Sequence, residues 1–369
     1  MLYTFTAIAL FIFALTVWNN TLLEDNGIAI YPQQGRRVNR LTIISIIWLV
    51  LFEGLRWEIG TDWDSYYGAF TYDIESHMDA GYLFLNRLIR NFTSSYTAFV
   101  LTITLFVYGV MFITIRKYSP NALMSLCIYF CSMVGLWGCN RQILATMICI
   151  LSLKFIQEKR LMLFMMTVFF ACLFHKTAII FIPAYFLFNL NYSQKQAYAI
   201  VLIAFIAGLL HLVNKLPFAD YLAYMDSIDN GNTNFSGYLA DKATNVSLMG
   251  SFKKILYIGL AIYVKDKVPF NSYKGLLTLY IFGGCLFLAF NGSVLQLFAG
   301  RGTLYYNIFE CIVMPWVVYY LFPNKKLSKN TWFFLFVVYF YLMWRDMNSY
   351  FILDGIDIYN PYKSVFSKF

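Results

Sequence analysis

Four short segments hold the residues whose types could do chemistry. EGLRWEIGTDWDSYYGAF places Arg56, Asp62, Asp64, Tyr66 and Tyr67 close together, with Gly60 available for a tight turn. GCNRQILA carries Arg141, CLFHKTAIIF carries His175, and FAGRGTLYYNIFECIVMP carries Arg301, Tyr305 and Glu310. Arginine forks match phosphate oxygens bidentately, so Arg56, Arg141 and Arg301 suit an anionic ligand. Histidine takes and gives a proton near neutrality, whereas an aspartate at about pH 4 is a weak base unless burial raises it. That ordering makes His175 the first candidate base and Asp62 or Asp64 the second. Tyr66, Tyr67 and Tyr305 add aromatic rings with a polar tip to the same segments.

Each residue also has a structural reading. Arg56 can pair with Glu53 one helical turn earlier, Asp62 can cap a helix, and Arg141 can snorkel from a helix end. His175 can bond between helices, and Glu310, a carboxylate inside an apolar run, needs a partner. Trp and Tyr also anchor membrane interfaces. His77 and His211 lack a comparable setting.

The elements that must position these residues follow from composition. Of 369 residues 60% are hydrophobic, 20% aromatic and only 13% charged, which excludes a water-soluble fold and leaves no room for a soluble catalytic module. The expectation is an all-α polytopic membrane protein, one domain over 1–369, with about 12 (10–14) transmembrane helices. Apolar runs fall at 2–18, 41–55, 96–115, 121–137, 142–157, 161–175, 177–189, 197–214, 252–264, 275–290, 303–322 and 331–344. The first run lacks a preceding Lys or Arg and a following small-residue cleavage site, so it reads as an uncleaved anchor. The seven cysteines form no C-x-x-C and three histidines give no ligand spacing, so free thiols and no metal are expected.

Loop charge gives orientation. Loops bearing Arg36, Arg37 and Arg40, Arg116 and Lys117, Lys154 to Arg160, Lys195, Lys265 to Lys274, and Lys325 to Lys329 balance at +11, against −2 for the remainder. The basic set is read as cytoplasmic, with the N-terminus outside. The net +9 is scattered through short loops between apolar runs, which argues against nucleic acid. Two outer loops are long: 56–95, with the amphipathic stretch GYLFLNRLIRNF, and 215–250, whose MDSIDNGNTNFSG reads as a flap. Arg56, Arg141, His175 and Arg301 then all fall at outer helix ends, the arrangement an anionic ligand such as a diphosphate requires.

These segments resemble the EpsG family, a branch of the Wzy-type polysaccharide polymerases. The likeness rests on RWEIGTDWDSYYGAF, NRQILA with KFIQEKR, FHKTAIIFIPAYF, RGTLYYNIFECIVMP and the closing YNPYKSVF, from about residue 45 onward. One departure is Trp63, where tyrosine is usual. The resemblance implies a GT-C-like membrane glycosyltransferase without cofactor or metal, in the bacterial cytoplasmic (inner) membrane, its site facing the periplasm or the cell exterior. Its substrates would be undecaprenyl diphosphate-linked oligosaccharide repeat units, its surroundings membrane lipids, and a chain-length regulator a partner. In that chemistry Arg141, Arg301 and then Arg56 stabilise the lipid diphosphate leaving group, His175, Asp62 or Asp64 takes the acceptor proton, and Tyr66, Tyr67 and Tyr305 stack on sugar faces. The alternatives are a transporter or flippase of lipid-linked sugars, an O-antigen ligase, or a sugar acyltransferase. The one-sided charges and lack of a repeat weigh against a flippase, and the absence of histidine from the first run against an acyltransferase.

Overall fold

The structure, a computed structural model, describes residues 1–18, 23–25, 28–30, 39–74, 78–217, 248–293, 295–296, 298–349, 352–353 and 356–367. The expected flap therefore lies almost wholly outside the described residues, as does His77. The chain packs as two compact units, 1–178 with 322–369, and 179–321.

The first unit contains α1 (Leu2–Thr16), α2 (Arg40–Gly54), α3 (Trp63–Thr71), α4 (Ala80–Arg90), α5 (Tyr96–Tyr118), α6 (Ala122–Met133), α7 (Asn140–Leu151), α8 (Leu153–Gln157) and α9 (Leu161–Cys172). The second contains α10 (Ala184–Leu187), α11 (Gln194–Leu209), α12 (Leu248–Tyr263), α13 (Asn271–Phe290), α14 (Leu304–Asn307) and α15 (Glu310–Tyr320), and α16 (Lys325–Ser349) returns to the first. Two short antiparallel hairpins, Leu23–Asp25 with Ile28–Ile30 and Ile352–Leu353 with Ile356–Asp357, complete the described elements.

Every apolar run of the sequence coincides with a helix or a broken helix. The helical membrane architecture agrees with the expectation, and the expected dozen spans is met by single long helices only in part. Among the described residues, α5 and α13 alone are long and apolar enough, each by itself, to cross a bilayer. Several other runs are short or interrupted, as where 142–157 breaks at Ser152 and 177–189 holds a 3₁₀ stretch before α10. Side-chain oxygens start the helices: Asn39 accepts from Leu41 N–H, Ser95 from Ala98 N–H and Asn121 from Met124 N–H.

Packing within each unit uses small residues and buried polar pairs, as expected where lipid supplies no hydrophobic drive between helices. In the first, Ala7 and Ala14 of α1 are fully buried, and Asn121 Nδ2 donates to Ala14 O at 3.2 Å. In the second, a Cβ on Gly208 would lie 2.0 Å from the Leu288 carbonyl oxygen, so α11 and α13 meet backbone to backbone. The outward faces are apolar, with Ile43, Ile44 and Ile47 on α2 and Leu202, Ile203 and Ile206 on α11 all exposed, a surface suited to lipid. All seven cysteines are free thiols.

Candidate functional site

The site of the first unit is built where the chain leaves α2. Gly60 (φ +112°) and Gly138 (φ +115°) lie against each other; a Cβ on Gly60 would meet the Trp137 carbonyl oxygen at 2.2 Å and one on Gly138 the Thr61 nitrogen at 2.9 Å. Both backbone angles are ones that L side chains rarely adopt, so glycine is needed twice over. This contact holds the turn before Asp62 against the turn before Arg141.

The C-terminal tail locks the same region. Trp57 N–H donates to Lys363 O and Val365 N–H to Leu55 O, both at 3.0 Å. Tyr362 Oη donates to Phe52 O at 2.6 Å, Tyr359 Oη to Trp137 O at 3.0 Å, and Tyr3 Oη to Tyr359 O at 3.1 Å.

Arg56 is only 3% exposed. Its guanidinium donates to Glu53 O at 2.8 Å and Asn140 Oδ1 at 2.9 Å, and stands 3.5 Å from the Glu53 carboxylate, which also accepts from Tyr108 Oη at 2.9 Å. The Glu53–Arg56 pairing agrees with the spacing. The diphosphate-binding expectation for Arg56 meets a different geometry: the group is enclosed, and it ties the end of α2 to the start of α7.

Arg141 is placed otherwise. Its Nη1 donates to Asp79 Oδ2 at 2.8 Å and its Nε to Tyr66 Oη at 3.3 Å, while its side chain keeps 21% exposure. It is a held arginine with an open flank, where a snorkelling residue would have neither partner. Asp79 stands just before α4, and Gly81 N–H donates to Leu173 O at 2.7 Å; a Cβ there would sit 2.8 Å from that oxygen. The Asp79 carboxylate also accepts from the Lys176 backbone, so α4, α7 and the turn after α9 converge on it. Burial pushes the Asp79 carboxyl above its ordinary value, with the Arg141 and Lys176 charges opposing. Burial likewise pushes the Tyr66 phenol up to about 12, Arg141 opposing and Asp62 adding slightly.

His175 adjoins this convergence. Its Nδ1 lies 2.6 Å from Thr177 Oγ1 and 3.4 Å from the Thr177 backbone nitrogen. Asp62 occupies the N-cap position of α3 but makes no cap hydrogen bond, correcting the capping alternative. It is half-buried and lies within electrostatic reach of Tyr66 and Tyr359. Asp64 is exposed on the first turn of α3. Tyr67 is half-buried, stacked on Trp63 at 4.8 Å, whereas Tyr66 is buried, 5.2 Å from the Tyr82 ring.

The structure thus gathers Arg56, Asp62, Asp64, Tyr66, Tyr67, Arg141 and His175 in the first unit. Arg301 and Tyr305 belong to the second. There Arg301 is exposed on an irregular turn, and Tyr305 is fully buried, closed to a sugar in this conformation. Glu310 finds the partners its depth demands: Lys253 Nζ at 3.0 Å, Lys254 Nζ at 2.9 Å and Tyr280 Oη at 2.7 Å. Sequence reading missed Asp79, although an acid opening an amphipathic stretch is a helix-start signal. It also missed Lys253 and Lys254, whose signal is two bases at the head of an apolar run that must answer an acid elsewhere.

The family model described as "EpsG family" matches residues 39–364, nearly the whole chain, from Arg56 through Glu310 to Tyr362 of the tail. The chain belongs to the EpsG family. Its members are Wzy-type polysaccharide polymerase-like proteins, and this EpsG protein is accordingly a membrane protein of polysaccharide biosynthesis. No curated protein and no solved structure matches it.

Proposed function

We propose that this protein is a polysaccharide polymerase that joins undecaprenyl diphosphate-linked oligosaccharide repeat units on the outer face of the cytoplasmic membrane. The observation that carries the reading is Arg141, a half-open guanidinium held by Asp79 and Tyr66 at a helix end, in a family of polymerase-like proteins.

In the reaction the glycosidic bond from the sugar C1 to the diphosphate oxygen breaks, and the bonding pair leaves with the lipid diphosphate. The acceptor hydroxyl oxygen bonds to C1 and surrenders its proton to a base. Arg141 stabilises the charge that develops on the leaving group. Arg301, exposed on the second unit, is assigned to phosphate for its residue type. Arg56 becomes a positioning residue, since its polar contacts are internal. Asp62 is assigned as the base: half-buried and uncapping, its carboxylate has oxygens to offer a hydroxyl. His175, whose Nδ1 lies 2.6 Å from Thr177 Oγ1, is assigned to proton transfer beside Asp62 for its residue type. Tyr67 and Asp64 flank the site as sugar contacts.

The test is purified protein incubated with synthetic undecaprenyl diphosphate-linked repeats, read as a ladder of lengthening products. A ladder is expected without ATP or nucleotide sugar, and it disappears in Arg141→Ala and Arg301→Ala although both variants insert and fold. A ladder that requires a nucleotide sugar refutes the mechanism. Normal ladders from both variants refute the arginine assignment.

A further inference from the structure

A second polar site lies away from any of these residues. Within the second unit, the start of α11, the turn after α12 and the start of α13 enclose a cavity of about 340 Å³. Asn191, Tyr192, Ser193, Gln196, Lys265 and Lys274 line it. That volume falls in the range of small-ligand pockets, about 300–1,000 Å³. Tyr280, which touches Glu310, sits half-way along α13; Lys274 sits at its first turn.

The charges in the pocket are incompletely matched. The Lys265 side chain is 7% exposed; its ammonium donates to the Tyr192 carbonyl and lies 4.5 Å from the centre of the Tyr192 ring. Tyr192 is fixed in turn by Thr278, whose hydroxyl donates to its Oη at 3.1 Å. Asp266 is the one carboxylate nearby among the described residues, 59% exposed and 4.0 Å from both Lys265 and Lys274, at the limit of an ion pair. Lys195 in the first turn of α11 and Lys267 on the turn after α12 add two more positive charges. An ammonium has three protons to donate, and a buried one without good partners is costly. The Asn191 side chain, exposed at the cavity, makes no hydrogen bond among the described residues, and the 16-residue α11 points its N-terminus there, past the Ser193–Gln196 capping box. Leu190 and Tyr263 lie nearby with exposed apolar surface.

We infer that this pocket binds a phosphate group, the anionic headgroup of a phospholipid on the lysine-rich side of the membrane. Lys265 contacts the phosphate from the floor and Lys274 from the rim, while Asn191 donates to a headgroup oxygen. The acyl chains lie along the exposed apolar surface beside Leu190. A basic pocket between helices on the leaflet that loop charge marks as inner is where such a headgroup concentrates.

Native mass spectrometry of the delipidated full chain tests this with phosphatidylglycerol, phosphatidylcholine and inorganic phosphate as probes. Phosphatidylglycerol should be retained in preference to phosphatidylcholine and be displaced by millimolar phosphate. Lys274→Gln, exposed and so harmless to folding, should weaken retention about fivefold, the effect of one juxtamembrane lysine. Lys265→Gln should weaken it further, and Lys329→Gln should leave it unchanged. Phosphate binding that is lost in Lys274→Gln without any lipid preference keeps the site and makes free phosphate its ligand. Equal retention of both lipids with no phosphate competition overturns the proposal, as does Lys274→Gln retaining the lipid as wild type does.

Discussion

Asp79 gives the sharpest test of the proposed site, because the geometry makes a hub of a residue whose sequence signal is only that of a helix start. Asp79→Ala removes a 2.8 Å charge-assisted bond to Arg141 and the acceptor for the Lys176 backbone. Hydrogen bonds to charged groups contribute about 1.5–3 kcal/mol, and with the Arg141 side chain 21% exposed, water recovers part of this. A loss of about 1.5–2.5 kcal/mol in the placement of Arg141 corresponds to about a 10- to 70-fold fall in kcat/KM. Asp79→Asn keeps an acceptor oxygen and should fall less than tenfold, by about 1 kcal/mol. The assay is the initial rate of ladder formation across repeat-unit concentrations, with thermal unfolding run beside it.

Proton linkage supplies an independent readout. The folded-state pKa of Asp79 is raised above the ordinary 3.8, so in the window upward from 3.8 the folded protein binds more protons than the unfolded chain. Stability therefore rises as pH falls through that window, and wild type should gain on Asp79→Asn, which has no such proton. Wild-type kcat/KM in Asp79→Ala refutes the positioning role, and a wild-type advantage that shrinks as pH falls refutes the burial argument.

Gly60→Ala should destabilise by about 2–4 kcal/mol in reversible unfolding, combining a disfavoured backbone angle with a 2.2 Å approach to the Trp137 carbonyl oxygen; a loss under about 1 kcal/mol contradicts that packing. Glu310→Leu strands Lys253 and Lys254 and should cost about 3–5 kcal/mol, while adding Lys254→Met should return most of it; equal stability of single and double variants refutes the buried ion cluster. Tyr362→Phe removes the 2.6 Å bond to Phe52 O and should cost about 1 kcal/mol, seen as faster proteolysis of the tail; unchanged protection refutes the docking.

Local features were legible from sequence, because their causes are local. The apolar runs became helices, Glu53 found Arg56 within one turn, and Gly60 sits in the turn expected of it. The need of Glu310 for a partner was legible too, though its identity was not: Lys254 is 56 positions away. What failed to show was long-range. Asn140 lies 84 positions from Arg56, Asp79 62 from Arg141, and Phe52 310 from Tyr362. Residue spacing carries no trace of such pairs, since only packing of several helices brings them together. Helix breaks were hidden for a related reason: hydropathy continues through Ser152 and Phe309 although the helical hydrogen bonding does not.

The two units solve the same electrostatic problem in the same way, and this separates their arginines by role. Each encloses one carboxylate with basic partners and a tyrosine hydroxyl: Glu53 with Arg56 and Tyr108, and Glu310 with Lys253, Lys254 and Tyr280. In both clusters the carboxylate is buried, its side chain no more than 6% exposed, so an incoming anion would have to displace an enclosed carboxylate at several kcal/mol. Arg141 and Arg301 stand apart from these clusters, one half-open beside Asp79 and the other exposed. Arginine at a helix end is therefore not in itself a sign of phosphate binding, and Arg56, with the same residue type and the same kind of position, shows why. What distinguishes Arg141 is a guanidinium oriented by contacts that include Asp79 and Tyr66, on a side chain that keeps an exposed flank, 21% of its surface. Under the proposed function, that flank is where the diphosphate of the leaving lipid supplies the second negative partner.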